Sequence, residues 1–195
     1  HLSGLDPEHI TIDDIVFKIG PRINAAGRME TGRIAVELLT ADDDDVAVRI
    51  GTEINEHNNE RKNIDREITQ EALEMVRSRK CLPAENATIV YNPLWHKGVV
   101  GIVASRLVEA FYKPTIVLTK SNGLVTGSAR SVHGFDLYDA IESCADLLEN
   151  FGGHLYAAGL TLREENLDEF CRRIDGFIAG KIDHQMLTPL ITIDT

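Results

Sequence analysis

Two clusters in this chain set a chemically capable side chain among small residues: Gly127-Ser128-Ala129-Arg130-Ser131 and Phe151-Gly152-Gly153-His154. Such clusters can wrap a phosphate. Glycine lets backbone N–H groups come close, serine hydroxyls donate, and an arginine guanidinium closes on two oxygens at once. In an extended segment Ser128 and Arg130 project to the same side, because Ala129 takes the position between them. A strand end is where open α/β sheets receive ligands. The competing reading is an edge strand with polar residues turned to solvent. Gly152 suits a helix C-cap. A second glycine followed by His154 suggests a loop that passes close to something, with the imidazole donating to a phosphate or stacking on a base. If the two clusters share a pocket, the chain grips a phosphorylated polymer or a nucleotide.

Two further segments carry the same kind of chemistry. In Pro21-Arg22-Ile23-Asn24-Ala25-Ala26-Gly27-Arg28, two guanidiniums and an amide alternate with small residues. That composition suits phosphate or carboxylate recognition, and equally a helix-packing corner whose arginines pair with acids of the same chain. Trp95-His96-Lys97-Gly98-Val99-Val100-Gly101 follows an apolar strand-like run and opens a helical pattern. A helix N-terminus presents unpaired N–H groups and the positive end of a dipole, and His96 and Lys97 add donors there. Trp95 could stack on a base, although a core anchor is the favoured reading of that residue.

No catalytic set accompanies these segments. The histidines are scattered without metal-ligand spacing, and Ser128 and Ser131 have no evident base. The acidic run Asp42 to Asp45 reads as a helix cap and first turn, not as a metal site. The residues alone describe a phosphate-binding domain without a visible catalytic centre and with no metal ligands.

The elements that must position these groups can be read from periodicity. Residues 1–42 read as small helical pieces joined by Gly and Pro. From Asp43 to Arg79 an apolar stripe runs through Val46, Ile50, Ile54, Ile64, Ile68, Ala72 and Met75 at steps of three and four, interrupted by His57 and Arg61. One helix over that stretch would be about 55 Å long and would connect two bodies; two helices broken near Asn58-Asn59 is the alternative. After Pro83 the pattern alternates. A strand at Thr88–Tyr91 precedes a helix over Gly98–Phe111, and strands at Pro114–Thr119 and Leu124–Ala129 form a hairpin around Ser121-Asn122-Gly123. A helix over Asp136–Glu149, a strand at Gly159–Leu162 and a helix over Leu167–Ile178 complete it. The expectation is an α/β fold with a mixed sheet flanked by helices. The final Leu190–Thr195 reads as a strand of a further region, and both ends of the chain look cut.

Composition bounds the partners. The 195 residues contain enough apolar side chains, 43%, for an ordinary core. The formal net charge of −11 argues against a protein that coats nucleic acid generally. Two basic islands stand out nonetheless. Lys97, Arg106, Lys113, Lys120 and Arg130 face one acid, Glu109, between Trp95 and His133. Arg22, Arg28 and Arg33 face Glu30 between Pro21 and Arg33. Cys81, Cys144 and Cys171 lack CxxC spacing, which points to reduced thiols and a cytoplasmic location. No run reaches membrane-span length and no signal peptide is evident.

The ordered set of motifs at 21–28, 95–106 (Trp-His-Lys-Gly-Val-Val-Gly-Ile-Val-Ala-Ser-Arg), 127–131 and 151–160 (Phe-Gly-Gly-His-Leu-Tyr-Ala-Ala-Gly-Leu) resembles the RecJ family. These are 5′→3′ single-stranded-DNA exonucleases of the DHH phosphoesterase superfamily. Where the superfamily commonly has a third glycine, this chain has Phe151. The resemblance implies the tail of a DHH domain at 1–42, a connector helix at 43–82, a DHHA1 domain at 83–182 and the start of an OB-fold-like region at 183–195. The Asp-His-His motif that binds two Mn²⁺ or Mg²⁺ ions is absent from the sequence, so the chain itself would be inactive.

The resemblance further implies a role in DNA repair and recombination, with single-stranded DNA held by its 5′ end. Ser128 and Arg130, with Ser131, would hold the 5′ phosphate, and Arg28, with Arg22 and Arg33 as alternatives, would assist from the DHH side. His154, with Gly152 and Gly153, would contact the terminal nucleotide, and His96 would add a donor. Single-strand-binding protein and a helicase are the implied protein partners. The alternatives are an oligoribonuclease or cyclic-dinucleotide phosphodiesterase relative, and a non-catalytic domain that docks a partner.

Overall fold

The computed structural model describes residues 4–6, 8–29 and 31–189. The expected strand at 190–195 lies outside them. The chain divides between Arg66 and Glu67 into two compact units.

The N-terminal unit is helical. Thr11 caps α1 (Ile12–Asp14) through a reciprocal capping box with Asp14. The chain then passes through a π-helical turn, Ile15–Ile19, into α2 (Gly20–Met29). Gly20-Pro21 was expected as a joint between pieces, but it lies inside this continuous helical run. Pro21 has no N–H to give the preceding turn, and a wider turn placed just before it is one way a helix absorbs that loss. α3 (Arg33–Leu39) follows. Ala26, Ala35, Ile50 and Ile54 form this unit's buried centre.

α4 (Asp44–Arg77) runs through Asn58-Asn59 without a break, over about 50 Å. Asp43 accepts from the Val46 N–H at 3.0 Å, and Asp44 and Asp45 occupy the positive first turn. The acidic run is therefore a cap, as its position indicated. The division between units falls within this helix.

The C-terminal unit is a five-stranded mixed sheet in the order β1-β2-β3-β5-β4. β1 (Thr88–Tyr91) and β2 (Thr115–Ser121) are parallel and are joined through α5 (Val100–Phe111), a βαβ crossover. β2 turns into β3 (Leu124–Arg130) through Asn122 and Gly123, whose φ values of +53° and +79° belong to a two-residue hairpin turn. α6 (Leu137–Glu142) is short. Residues expected to prolong it to Glu149 instead form a 3₁₀ turn, Ala145–Leu147, and an unforeseen strand, β4 (Leu148–His154). β4 pairs antiparallel with β5 (Ala157–Leu162). α7 (Leu167–Lys181) closes the unit.

Strand alternation divides the sheet into two faces. One face, with Ile89, Ile116, Leu118, Val125, Ala129, Leu160 and Leu162, packs on α6 and α7 around Phe170, Ile174 and Ile178. Each buried Val, Leu, Ile or Phe among them contributes about 1.5–3 kcal/mol relative to exposure. Val90 and Val117 point to the other face, towards α5 and its buried Val103, Ala104 and Leu107. Asp175 of α7 anchors the approach to β1. Its carboxylate accepts from the N–H groups of Glu85 (3.1 Å), Asn86 (2.7 Å) and Ala87 (3.1 Å), and from Asn86 Nδ2 (3.2 Å).

The three thiols are free. Burial raises the pKa of Cys81 and Cys144 and pushes Cys171 up to about 12. Cys144 and Cys171 lie in the core, whereas Cys81 is only half-buried. Iodoacetamide should therefore label Cys81 first in the native protein and reach Cys144 and Cys171 only on unfolding. Equal labelling rates by peptide mass spectrometry would contradict this packing.

Candidate nucleic-acid interface

The register of β3, β5 and β4 assembles the site. Arg130, Ala157 and His154 share one row across the sheet; Ser128, Gly159 and Gly152 share the next; Thr126, Thr161 and Asn150 share a third. Directly opposed residues lie on one face and steps of two preserve it. Ser128, Arg130, Gly152 and His154 thus meet on the α5 face, within two strand spacings, or about 10 Å. Gly152 and Gly153 were expected in a loop after a helix and are in a strand instead. Glu, Asn and Gly are poor strand formers by themselves, and pairing with β5 overrides that preference.

α5 covers β2 and packs on β3. A Cβ on Gly101, in its first turn, would lie 3.0 Å from Arg130 Nη2 and 3.1 Å from Ser128 Oγ. No side chain caps α5. The N–H groups of Val100 and Gly101 donate to no acceptor among the described residues, and both residues are buried. A helix N-terminus, a hydroxyl and a guanidinium therefore converge on one spot, and that combination suits a phosphate. Arg130 Nη1 also donates to the Ala129 carbonyl at 2.8 Å.

Beside this spot the face is uncovered. An open groove of about 330 Å³ runs over Thr126, Gly152, Gly159, Thr161 and Asn150. Thr126 Oγ1 lies 3.3 Å from both Thr161 Oγ1 and the Leu160 carbonyl. A larger hollow, about 1130 Å³, shares no residue with the groove. Two of its polar groups have partners in the fold, Asp175 the backbone N–H groups before β1 and Lys113 the Glu85 carbonyl.

Other expected site residues turn to the opposite face, have structural partners or belong to the N-terminal unit. Gly153 turns to the opposite face, and a Cβ there would lie 2.3 Å from the Ala157 carbonyl oxygen, so packing alone demands glycine. Ser131 Oγ donates to the Phe135 carbonyl at 2.8 Å and its N–H to the Tyr156 carbonyl at 3.0 Å. His96 is half-buried, with Nδ1 accepting the Gly98 N–H at 3.1 Å, which leaves Nε2 as the ring donor in the loop before α5. Trp95 is a core anchor, 5% exposed, with Nε1 donating to Glu71 at 2.8 Å.

Arg22 and Arg28 belong to the N-terminal unit, on α2. Arg22 donates to Asn55 Oδ1 at 3.1 Å and to the Lys18 carbonyl at 2.6 Å, and Arg28 is exposed. Arg33 pairs with Glu37. The basic island from Lys97 to Arg130 does not become one surface patch. Lys120 binds Glu164 at 2.6 Å, a hydrogen bond that lowers the Glu164 carboxyl pKa below its ordinary value.

Reading the sequence by residue type alone missed Thr126, Asn150, Gly159 and Thr161. The signal was the period-2 spacing Asn150-x-Gly152-x-His154, which a strand converts into one face.

Residues 85–180 match the DHHA1 domain family. The chain is 37% identical to the single-stranded-DNA-specific exonuclease RecJ of Bacillus subtilis, over 99% of this chain and 25% of that protein. It is 36% identical to the Escherichia coli RecJ, over 99% of this chain and 35% of that one. The chain thus spans about a quarter to a third of the length of these relatives. Among solved structures it matches Thermus thermophilus RecJ in complex with Mg²⁺, with a TM-score of 0.77 and 32% identity over 87% of this chain and 26% of that one. An exonuclease RecJ bound to manganese matches with a TM-score of 0.70 and 32% identity over 85% of this chain and 41% of that one. Residues 85–180 are a DHHA1 domain, and the chain that carries them is a homologue of the single-stranded-DNA-specific exonuclease RecJ.

Proposed function

We propose that this chain is the strand-gripping part of a 5′→3′ single-stranded-DNA exonuclease acting in repair and recombination. The carrying observation is the convergence of the uncapped α5 N-terminus, Ser128 and Arg130. It supports a site for the terminal 5′ phosphate, beside a groove that accepts an unpaired strand. The RecJ relatives, named for single-stranded DNA, support the substrate class.

Cleavage would belong to another part of the protein. Among the described residues no three His, Cys, Asp or Glu side chains come together as a metal-holding group, so these residues do not fit a two-metal centre. The Mg²⁺ or Mn²⁺ named with the RecJ structures would act on ligands outside them. In this reading residues 1–42 end a DHH domain, 43–82 connect it to DHHA1 at 83–182, and 183–195 begin the next region. Arg28 or Arg22 would add charge from the first of these. Three free thiols support a cytoplasmic site of action, and no described helix is long and apolar enough to cross a membrane. A helicase and a single-strand-binding protein would deliver the substrate.

The test measures binding of this chain to a 5′-phosphorylated single strand, to its 5′-hydroxyl twin and to duplex, as salt is varied. The phosphorylated single strand should bind tightest. A log–log salt slope of about −0.7 per phosphate contact should indicate one or two contacts. Nucleotide release with Mn²⁺ should require the complete protein. Equal affinity for all three ligands, or turnover by this chain at the complete protein's rate, would overturn the reading. Tighter binding of dinucleotides than of long strands would point to an oligoribonuclease-type relative.

A further inference from the structure

The phosphate spot depends on where α5 begins, and irregular backbone over residues 92–99 leads into it from β1. Such a segment moves more than the elements it joins unless something holds it. This one carries His96 and Lys97 and ends on the N–H groups of Val100 and Gly101.

The hold comes from Glu71, on α4 and within the sheet unit. Its two carboxylate oxygens go to two residues of the loop. Oε1 accepts from Asn92 Nδ2 at 2.7 Å, and Oε2 accepts from Trp95 Nε1 at 2.8 Å. Both bonds are charge-assisted and stronger than their neutral counterparts. Asn92 directs its other side-chain atom into the loop, where Oδ1 accepts the Leu94 N–H at 2.9 Å. A flipped amide would set an oxygen against the carboxylate and an NH₂ against the Leu94 N–H, so both contacts select one orientation. The backbone continues the series. The Asn92 N–H donates to the Leu118 carbonyl at 3.2 Å, and the Asn92 carbonyl accepts the Trp95 N–H at 3.2 Å. The Trp95 carbonyl accepts from the buried Thr119 hydroxyl at 2.6 Å. The Val99 N–H then donates to the His96 carbonyl at 3.1 Å and turns the chain into α5.

Two observations separate this role from stability alone. α5 is seated on the sheet by Val103, Ala104 and Leu107, further along the helix. It therefore stays in place when Glu71 is lost, while the loop that sets its first turn is released. Glu71 is also an acid in a chain of net charge −11. On charge alone, its neutralisation should favour an anionic strand. A loss of binding on neutralisation has to come through the loop.

We infer that Glu71 is a positioning residue for the phosphate site. It touches no ligand. It holds Asn92 and Trp95 so that the first N–H groups of α5 keep their place beside Ser128 and Arg130. The inference rests on the reading that this spot takes a terminal phosphate. Hydrogen bonds weaken steeply once donors leave their distance and angle, so a loosened first turn lowers affinity with every contacting group still present.

The test measures the affinity of Glu71→Gln and Glu71→Ala for a 5′-phosphorylated single strand and for its 5′-hydroxyl twin. Glutamine offers one oxygen to two donors, and alanine offers none. Both variants should lower the phosphate-to-hydroxyl ratio by about three- to tenfold, with affinity for the 5′-hydroxyl strand equal to or slightly above native. Glu67→Gln removes the same charge from an exposed side chain one turn earlier on α4 and should leave the ratio unchanged. Trp95 is the chain's single tryptophan, so its emission reports the loop directly and should shift in the Glu71 variants but not in Glu67→Gln. Asn92→Ala should lower the ratio as well, and combining it with Glu71→Gln should lose less than the two single effects together. An unchanged or raised ratio in folded Glu71→Gln and Glu71→Ala would overturn the inference and leave the phosphate site standing. So would full additivity with Asn92→Ala. Equal binding of both strands by the native chain would remove the phosphate reading and this inference with it.

Discussion

Arg130→Ala should weaken binding of a 5′-phosphorylated single strand by about 10- to 100-fold, the value of a charge-assisted hydrogen-bonding pair. The loss should fall on the phosphate. Affinity for the 5′-hydroxyl strand should change much less, so the ratio between the two ligands collapses towards one. Arg130→Lys separates charge from shape. The ammonium retains the Coulomb attraction but not the planar fork, so it should recover only part of the loss. In the complete protein the same substitution should slow removal of the first nucleotide. Titration of labelled oligonucleotides by fluorescence anisotropy reads the ratio directly, with circular dichroism as the control for folding. An unchanged phosphate-to-hydroxyl ratio would remove Arg130 from the site.

The largest stability effect expected from a single polar group is at Asp175. One carboxylate satisfies three successive backbone N–H groups, at Glu85, Asn86 and Ala87, and the Asn86 amide. Asp175→Ala leaves those donors without an acceptor just before β1 and should cost about 2–3 kcal/mol. For a unit of this size, that lowers the melting temperature by roughly 5–15 °C. Asp175→Asn retains one carbonyl acceptor and should lose about half as much. A melting temperature within 1 °C of the native value for Asp175→Ala would show that solvent replaces the carboxylate without penalty. Because α7 and β1 lie in the sheet unit, unfolding followed by a signal from Trp95 should show the change.

The two substitutions bracket what could be read from the sequence. The hairpin at Asn122-Gly123, the α5 crossover and the Asp-capped α4 follow from local rules, and each is where those rules place it. The pairing of Ser128 with Arg130 on one face needs only strand alternation. Three features were not legible, for a common reason. β4 has a composition that disfavours strands, and only its ladder to β5 makes it one. Asp175 bonds to a loop ninety residues earlier in the chain, and no local pattern marks such a partner. The run of bases from Lys97 to Arg130 is contiguous in sequence, but Lys120 and Lys113 turn to partners on other elements. Local periodicity records which face a side chain takes. It does not record which distant element arrives opposite that face.

The place of β4 in the strand order gives the site an asymmetric stiffness. β3 lies inside the sheet, laddered on both sides, so Ser128 and Arg130 move only when the sheet itself opens. β4 is an edge strand, paired on one side, bulged between Leu148 and Asn150, and exposed from Gly152 to His154. Edge strands fray at a fraction of the global unfolding free energy. A ligand held at Ser128 and resting on Gly152 would tie the frayable strand to the fixed one, so binding and the closing of β4 become linked equilibria. Part of the affinity for a strand end would then be set by residues that never touch it, through how often they let the edge come away.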